Sequence, residues 1–408
     1  MSAVSQGPAS GRRHLVLCGA GHAHLDTLAA IPRFILQGHA VTVVSPDSYH
    51  YYSGMGPGML AGVYPPRAIR FNVRKMTEDA GARFVEGKVR KVDPHRRLIT
   101  LENDGVLEYD VASFNVGSEI SGPGVEFASC FVFAIKPIRN LETVRRSICQ
   151  LTDSRAAHAV RLAVLGGGAA GVEAAGNAWR AIRDMGGEPR VTLIARGRAL
   201  RRFSQSVRRK ALSSMAARGI EVLEDRVVRS MREGIISMVD GKQIPFDLAI
   251  LATGTKPPDF FARSGIPTGD DGGMLVNESL QSVEHPELFG GGDCITFRQH
   301  PLDRVGVYAV RENPIVAHNL EAALNGGPME MFRPQKSYLQ LLNMGDGTAI
   351  SNRGASISAT RYAFRLKDRI DREFMLKYQR SGELEESAEE IPRTGQGPWT
   401  AIGKSDVT

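Results

Sequence analysis

The sequence predicts an α/β protein of two doubly wound parallel-sheet domains, the second inserted in the first, with a small C-terminal region. Two observations carry this. A strand, a glycine turn, a helix and a further strand occur twice in the same order. Their strands are near-continuous apolar runs, the pattern of a sheet buried on both faces by helices. Length agrees, because 408 residues exceed one ordinary domain and suit two or three.

The first copy runs from His14 through Leu15, Val16, Leu17 and Cys18 into Gly19-Ala-Gly21-His-Ala-His24. An apolar helix follows through Leu28 and Ile35, then the strand Ala40 to Val44. The second copy runs from Arg161 to Leu165 into Gly166-Gly-Gly168-Ala-Ala-Gly171, then a helix through Trp179 and Ile182, then the strand Val191 to Ile194. After each copy comes a set of short alternating segments with a turn signal, Asp104–Gly105 in one half and Asp240–Gly241 in the other, which predict an antiparallel meander. Each half closes on a similar strand end, Asn115-Val-Gly117-Ser118 and Ala252-Thr-Gly254-Thr255. The expected segments are a disordered tail over 1–13, a first domain in two parts (14–125 and 261–330), and a second domain over 126–260. A C-terminal interface or membrane-surface region over 331–380 and a disordered tail over 381–408 complete the chain.

A glycine turn between a strand and a helix has a known use. The first glycine permits the turn, the second lets the backbone approach a pyrophosphate, and the helix N-terminus attracts the negative charge. Two such turns in the right context predict two dinucleotide sites, with Gly19 and Gly21 in one and Gly166, Gly168 and Gly171 in the other. The first turn departs from the pattern: His24 stands where a third glycine is expected. Ser45 replaces the acidic residue that usually grips a ribose, and Asp47 comes two residues later, so His24, Ser45 and Asp47 are the candidates there. In the second copy the strand ends in Ala195-Arg196-Gly197-Arg198, and Arg196 is a candidate for the 2′-phosphate of NADPH or simply a surface arginine. Gly117 and Gly254 at the two strand ends are further candidates. So is the late run Leu288-Phe-Gly-Gly-Gly292-Asp293, which puts a carboxylate at the sheet edge where ligands of open α/β folds bind.

Two glycine turns, a paired strand-end turn and a late Gly-Gly-Asp resemble the two-dinucleotide-binding flavoproteins. Within that group the chain is similar to type II NADH dehydrogenases and sulfide:quinone oxidoreductases. It looks closest to the oxidoreductase domain found ahead of selenide, water dikinase, in a stand-alone form. That likeness rests on Gly19 to His24, Ser45-Pro-Asp47, Tyr52-Ser-Gly54, Gly306-Val-Tyr-Ala-Val-Arg311 and Lys367-Asp-Arg-Ile-Asp-Arg372. The resemblance implies FAD on Gly19 and Gly21, with Asp293 and its neighbour Gly292 at the ribityl chain. It implies that the run from Gly54 through Pro57 to Leu60 passes beside the isoalloxazine, and that NAD(P)H sits on the second turn. Glu173 would lie near the nicotinamide–flavin contact as a catalytic residue; a helix-N-terminal acid favoured by the dipole is the alternative. Hydride would pass from NAD(P)H to FAD and electrons on to a quinone-like or other small-molecule acceptor. A sulfur- or selenium-linked reductase and a flavin-binding redox sensor stay open beside it. The segment Ala309 to Asn313 stands where type II NADH dehydrogenases carry a motif near the quinone.

Cysteine usage argues against paired-thiol chemistry: Cys18, Cys130, Cys149 and Cys294 form no CxxC pair and no zinc spacing, and no cysteine follows Cys294. No metal site is expected, and the thiols fit a reducing cytoplasm. The net charge of +7 is dispersed and accompanies no recognised nucleic-acid module, so nucleic acid is not an expected partner. No apolar run approaches the roughly 18–20 residues that span a bilayer. Tyr362, Leu366, Ile370, Phe374 and Tyr378 recur at four-residue intervals among arginines and lysines. That stripe predicts a helix lying on the inner face of a membrane, or one packed on the first domain or on a homodimer partner.

Overall fold

The computed structural model describes residues 11–121, 126–128, 131–154, 159–335, 337–353 and 356–386. Its frame is two five-stranded parallel sheets that share the order of four strands and differ in the edge strand, which comes last along the chain in the first sheet and first in the second. The first runs Leu288–Gly290, Val111–Phe114, His14–Cys18, Ala40–Ser45, Arg83–Glu86. The second runs Val132–Ala134, Leu248–Leu251, Ala159–Leu165, Glu188–Ile194, Glu221–Leu223. The chain leaves the first sheet after Phe114, builds the second, and returns to the first at Leu288, so the second unit is an insertion. Strand burial explains the apolar runs: Leu15, Val16, Leu17 and Cys18 are all fully buried, and each aliphatic side chain contributes about 1.5–3 kcal/mol through that burial.

Each meander forms as an antiparallel triplet, Val89–Asp93 with Leu98–Leu101 and Val106–Glu108, and Val228–Arg232 with Ile235–Met238 and Gln243–Pro245. Asp104 supplies its turn with a left-handed φ of 62°. A short antiparallel pair, Glu119–Ile120 with Thr255–Lys256, joins the two strand-end turns across the domains.

The C-terminal region is a three-stranded antiparallel sheet, Gln340–Asn343, Ala349–Arg353 and Ser356–Thr360, followed by the helix Arg361–Tyr378. Thr360 caps that helix, its hydroxyl accepting from the Ala363 N–H at 3.0 Å. The apolar stripe does not coincide with the buried face. Tyr362 is 76% exposed and Ile370 42%, whereas Ala363, Lys367, Asp371, Met375 and Tyr378 face inward. The inward row from Ala363 to Met375 keeps the same four-residue spacing one residue, about 100°, further round, so the spacing alone does not tell which row is buried, and the stripe joins the buried face at Tyr378.

Residues 11–13 and 381–386, which fall in the segments expected to be tails, make defined contacts with the first domain. Arg13 already pairs with Ala40, and its guanidinium donates to Ala323 O at 2.6 Å. At the other end, Glu383 accepts from the Asn72 N–H at 2.9 Å, and Glu386 pairs with Arg70 at 2.5 Å. An acidic, polar stretch is thus held by arginines and tyrosines of the first domain rather than by apolar burial.

Candidate functional site

The first glycine turn is shaped by its neighbours. Gly19 has φ of 83°, and a Cβ there would strike Asn115 O. Asn115 organises the corner: its Oδ1 accepts from the Ala23 N–H at 3.0 Å and its Nδ2 donates to Gly291 O at 2.5 Å, joining the loop to the Gly-Gly-Asp strand end. His24 is fully buried, with Nδ1 2.6 Å from Gly19 O and Nε2 2.7 Å from Ser113 Oγ. Burial pushes its pKa down to about 4, so the ring is neutral. His24 therefore does not offer a nitrogen to a ligand, as the sequence suggests; it braces the loop from below. His22, on the same turn, buries its Nε2 with no partner among the described residues.

The second turn repeats the design. Gly166 has φ of 129° and lies against Ala252 O, while Gly171 lies against Gly166 O. A Cβ on Gly168 would meet nothing within 4 Å, which leaves the mouth of the turn open. Gly168 N-caps the helix Ala169–Asp184 without a side-chain cap, so its first N–H groups are free to hold an anion. Gly117 and Gly254 occupy the two strand ends with φ of 74° and 107°. The second turn thus has the open form of a pyrophosphate site, whereas at the first turn Asn115 takes the Ala23 N–H and Asn313 the Asp26 N–H, and the glycines bring the backbone close.

Asp293 sits at the edge of the first sheet with two partners, Ser118 of the strand-end turn and Lys136, which no motif marks. Lys136 Nζ reaches its Oδ2 at 2.5 Å and Ser118 Oγ donates to the same atom at 2.7 Å. Next to it, the Gly292 N–H donates to the buried Glu312 carboxyl, whose pKa burial pushes up to about 7. Asn313 accepts from the Asp26 N–H and donates to Tyr378 OH. The segment expected near a quinone thus turns Glu312 and Asn313 into the first domain.

A second cluster joins Gly54 to Glu173. Lys367, buried on the C-terminal helix, donates to Gly54 O at 2.6 Å and pairs with Asp371 at 2.5 Å, and Tyr52 OH donates to Asp371 at 3.1 Å. Glu173, in the first turns of Ala169–Asp184, accepts from the Asn343 N–H at 2.8 Å. Burial pushes its pKa up to about 7, opposed by the Lys367 charge and the Asn343 hydrogen bond and reinforced by Asp371. Pro57 is buried in the short helix Gly56–Leu60, which packs on the helices Asn140–Ser154 and Ala169–Asp184.

The remaining candidates are dispersed. Asp47 is engaged by Arg139 and accepts from the Tyr49 N–H, and Ser45 is buried at its strand end. The Asp47 carboxylate is therefore committed to a guanidinium rather than free to grip a ribose. Arg196 and Arg198 are exposed, on a loop held by Glu224, which accepts from the Ala199 N–H and pairs with Arg208. Cys18 and Cys294 are fully buried, and burial holds both thiols protonated, Cys294 with a pKa of about 12. Cys149 faces Asp153 on its own helix, and Cys130 lies outside the described residues. No cluster of metal ligands occurs among the described residues.

Comparison with known proteins agrees with this geometry. The chain is 24% identical over 397 residues to a type II NADH:quinone oxidoreductase of Staphylococcus haemolyticus, covering 90% of this chain and 96% of that one. NDH2 of Plasmodium falciparum, solved in complex with NADH, superposes with a TM-score of 0.77 at 13% identity, over 94% of this chain and all of that one. The sulfide:quinone oxidoreductase of Aquifex aeolicus gives 0.70 at 18% identity, over 90% and 92%. A family model matches residues 13–319, and by that match the chain belongs to the pyridine nucleotide-disulphide oxidoreductase family.

Proposed function

We propose that the chain holds FAD in its first domain and NAD(P)H in its second, moves hydride from the nicotinamide to the flavin, and passes electrons to a quinone. The observation that carries this is the pair of glycine turns, one per domain, each joining a central parallel strand to a helix at the same place in its sheet. Bound FAD supplies the two-electron chemistry; the protein supplies position, charge and exclusion of water. The turn at Gly19 and Gly21 would hold its pyrophosphate. Asp293, with Lys136 and Ser118 on it, would take the ribityl hydroxyls. Glu173, poised to gain or lose a proton near neutral pH beside the Gly54 loop, would serve proton uptake by the acceptor.

Cys18 and Cys294, buried and protonated, are not placed to pass electrons to a disulfide, which favours a quinone as acceptor. The exposed face of the C-terminal helix carries Tyr362, Ile370 and Leu376 among Arg365, Arg369, Arg372 and Lys377, a pattern suited to peripheral contact with an anionic surface. No described helix is long and apolar enough to cross a membrane. Steady-state oxidation of NADPH by the flavin-loaded protein tests the proposal, with a water-soluble quinone and a disulfide as alternative acceptors. The quinone is expected to accelerate turnover far more. Faster turnover with the disulfide would overturn it.

Arg196 adds a cofactor preference. A basic residue where NADH-specific sites carry an acid can seat the 2′-phosphate. Arg196→Asp is expected to lower kcat/KM for NADPH by about 10- to 100-fold, the loss of one charge-assisted contact, with a smaller change for NADH. Equal losses for both would remove the preference from Arg196.

A further inference from the structure

We propose that Asn177 and Asn343 are positioning residues for Glu173: their paired amides pin the C-terminal hairpin to the helix Ala169–Asp184 and so hold the hairpin's main-chain N–H on the Glu173 carboxylate. The inference rests on the role proposed above for Glu173. Asn177 lies one turn after Glu173 and is fully buried, and Asn343 is only 4% exposed. Asn177 Nδ2 donates to Glu173 O at 2.8 Å and to Asn343 O at 3.1 Å. Asn343 Nδ2 donates back to Asn177 Oδ1 at 3.1 Å, and Asn343 Oδ1 accepts from the Gly345 N–H at 3.0 Å. Each amide is thus committed on both its oxygen and its nitrogen.

The close approach is built into the backbone. Gly176 lies against Met344 O, and Gly345, with φ of 78°, lies against Gly176 O, so neither position has room for a side chain. Buried amides satisfied this fully fix a single arrangement, because a slip of the hairpin would strand several polar atoms at once. The consequence falls on Glu173. Its Oε1 receives the Asn343 N–H, while the charged groups around it are Lys367 and Asp371 of the C-terminal helix, with Tyr52 OH behind Asp371 and Arg218 on the far side of Gly176. A donor aimed at the carboxylate favours its ionised form, so releasing the hairpin shifts the balance towards the acid.

The test is the pH profile of kcat for the flavin-loaded wild type, Asn177→Ala, Asn343→Ala, the double variant and Glu173→Gln, all with NADPH and the same quinone. Asn177→Ala and Asn343→Ala are each expected to move the inflection upward by about one pH unit, the value of one hydrogen bond to a charged group. The double variant should move it no further than either single one, because both act through the same N–H. Flavin content and near-ultraviolet circular dichroism verify the fold, and the two single variants stand in for each other if one does not assemble. An unmoved inflection with uniformly lower kcat would reduce the pair to a structural role and overturn the inference. An inflection that survives in Glu173→Gln would instead remove Glu173 from the proposed function.

Discussion

Lys367→Met is expected to destabilise the protein by about 3–5 kcal/mol and to lower Tm by roughly 4–6 °C, because it strands Asp371 in the interior without its counter-charge. The side chains of the pair are only 10% and 6% exposed, and Lys367 also supplies the donor to Gly54 O. The same helix carries its own control. Arg369 and Glu373 pair at the same spacing on the outer face, with side chains 77% and 61% exposed, and Arg369→Met is expected to cost under about 1 kcal/mol. Replacing both buried partners, Lys367→Met with Asp371→Leu, should recover most of the stability, since an apolar pair of similar volume removes the stranded charge. Thermal unfolding of the four proteins checks this. Equal losses for the inner and outer lysine and arginine variants would mean that the buried pair is not what anchors the C-terminal helix to the Gly54 loop.

Glu173→Gln is expected to lower kcat with a quinone by roughly 10²-fold or more, in the range of a lost acid–base group, while KM for NADPH changes little. The pH dependence supplies the sign. With its pKa raised from 4.5 to about 7, Glu173 is the acid below neutrality and the carboxylate above it. If the acid form delivers a proton to the acceptor, kcat falls as pH rises through about 7, and the glutamine variant shows a flat, low profile across that window. A profile that keeps its fall in the variant would assign the proton to another group, with Glu312 the next to examine because burial sets its pKa in the same range.

The parts of the fold that chemistry imposes on neighbouring residues were legible in the sequence. A buried parallel strand must be apolar throughout, and a turn pressed against the next strand must be glycine, so both sheets and both turns follow from Leu15 to Gly21 and Leu162 to Gly171. What depends on distant partners was not. Lys136 precedes a proline in an unremarkable stretch, and only the folded chain brings it to Asp293. Asp47 stands two residues past the place of a ribose ligand, and Arg139 reaches it from another element. The C-terminal helix misleads for a related reason. Periodicity counts Lys367 and Asp371 as outward-facing polar residues, yet they neutralise each other and lie inside, while Tyr362 and Ile370 are turned out. His24 shows the same limit at a single position: the missing third glycine signals a change in the loop, and the structure reveals that an imidazole has filled the space beneath it.

The central claim is that the second domain feeds electrons to a flavin in the first. An anaerobic titration of the flavin-loaded protein with NADPH and then NADH, following the flavin's visible absorption band, tests it most directly. Rapid bleaching at stoichiometric nucleotide, with NADPH ahead of NADH, is the predicted result. Flavin that stays oxidised in the presence of excess NADPH and NADH would contradict the account, leaving the second glycine turn without the role proposed for it.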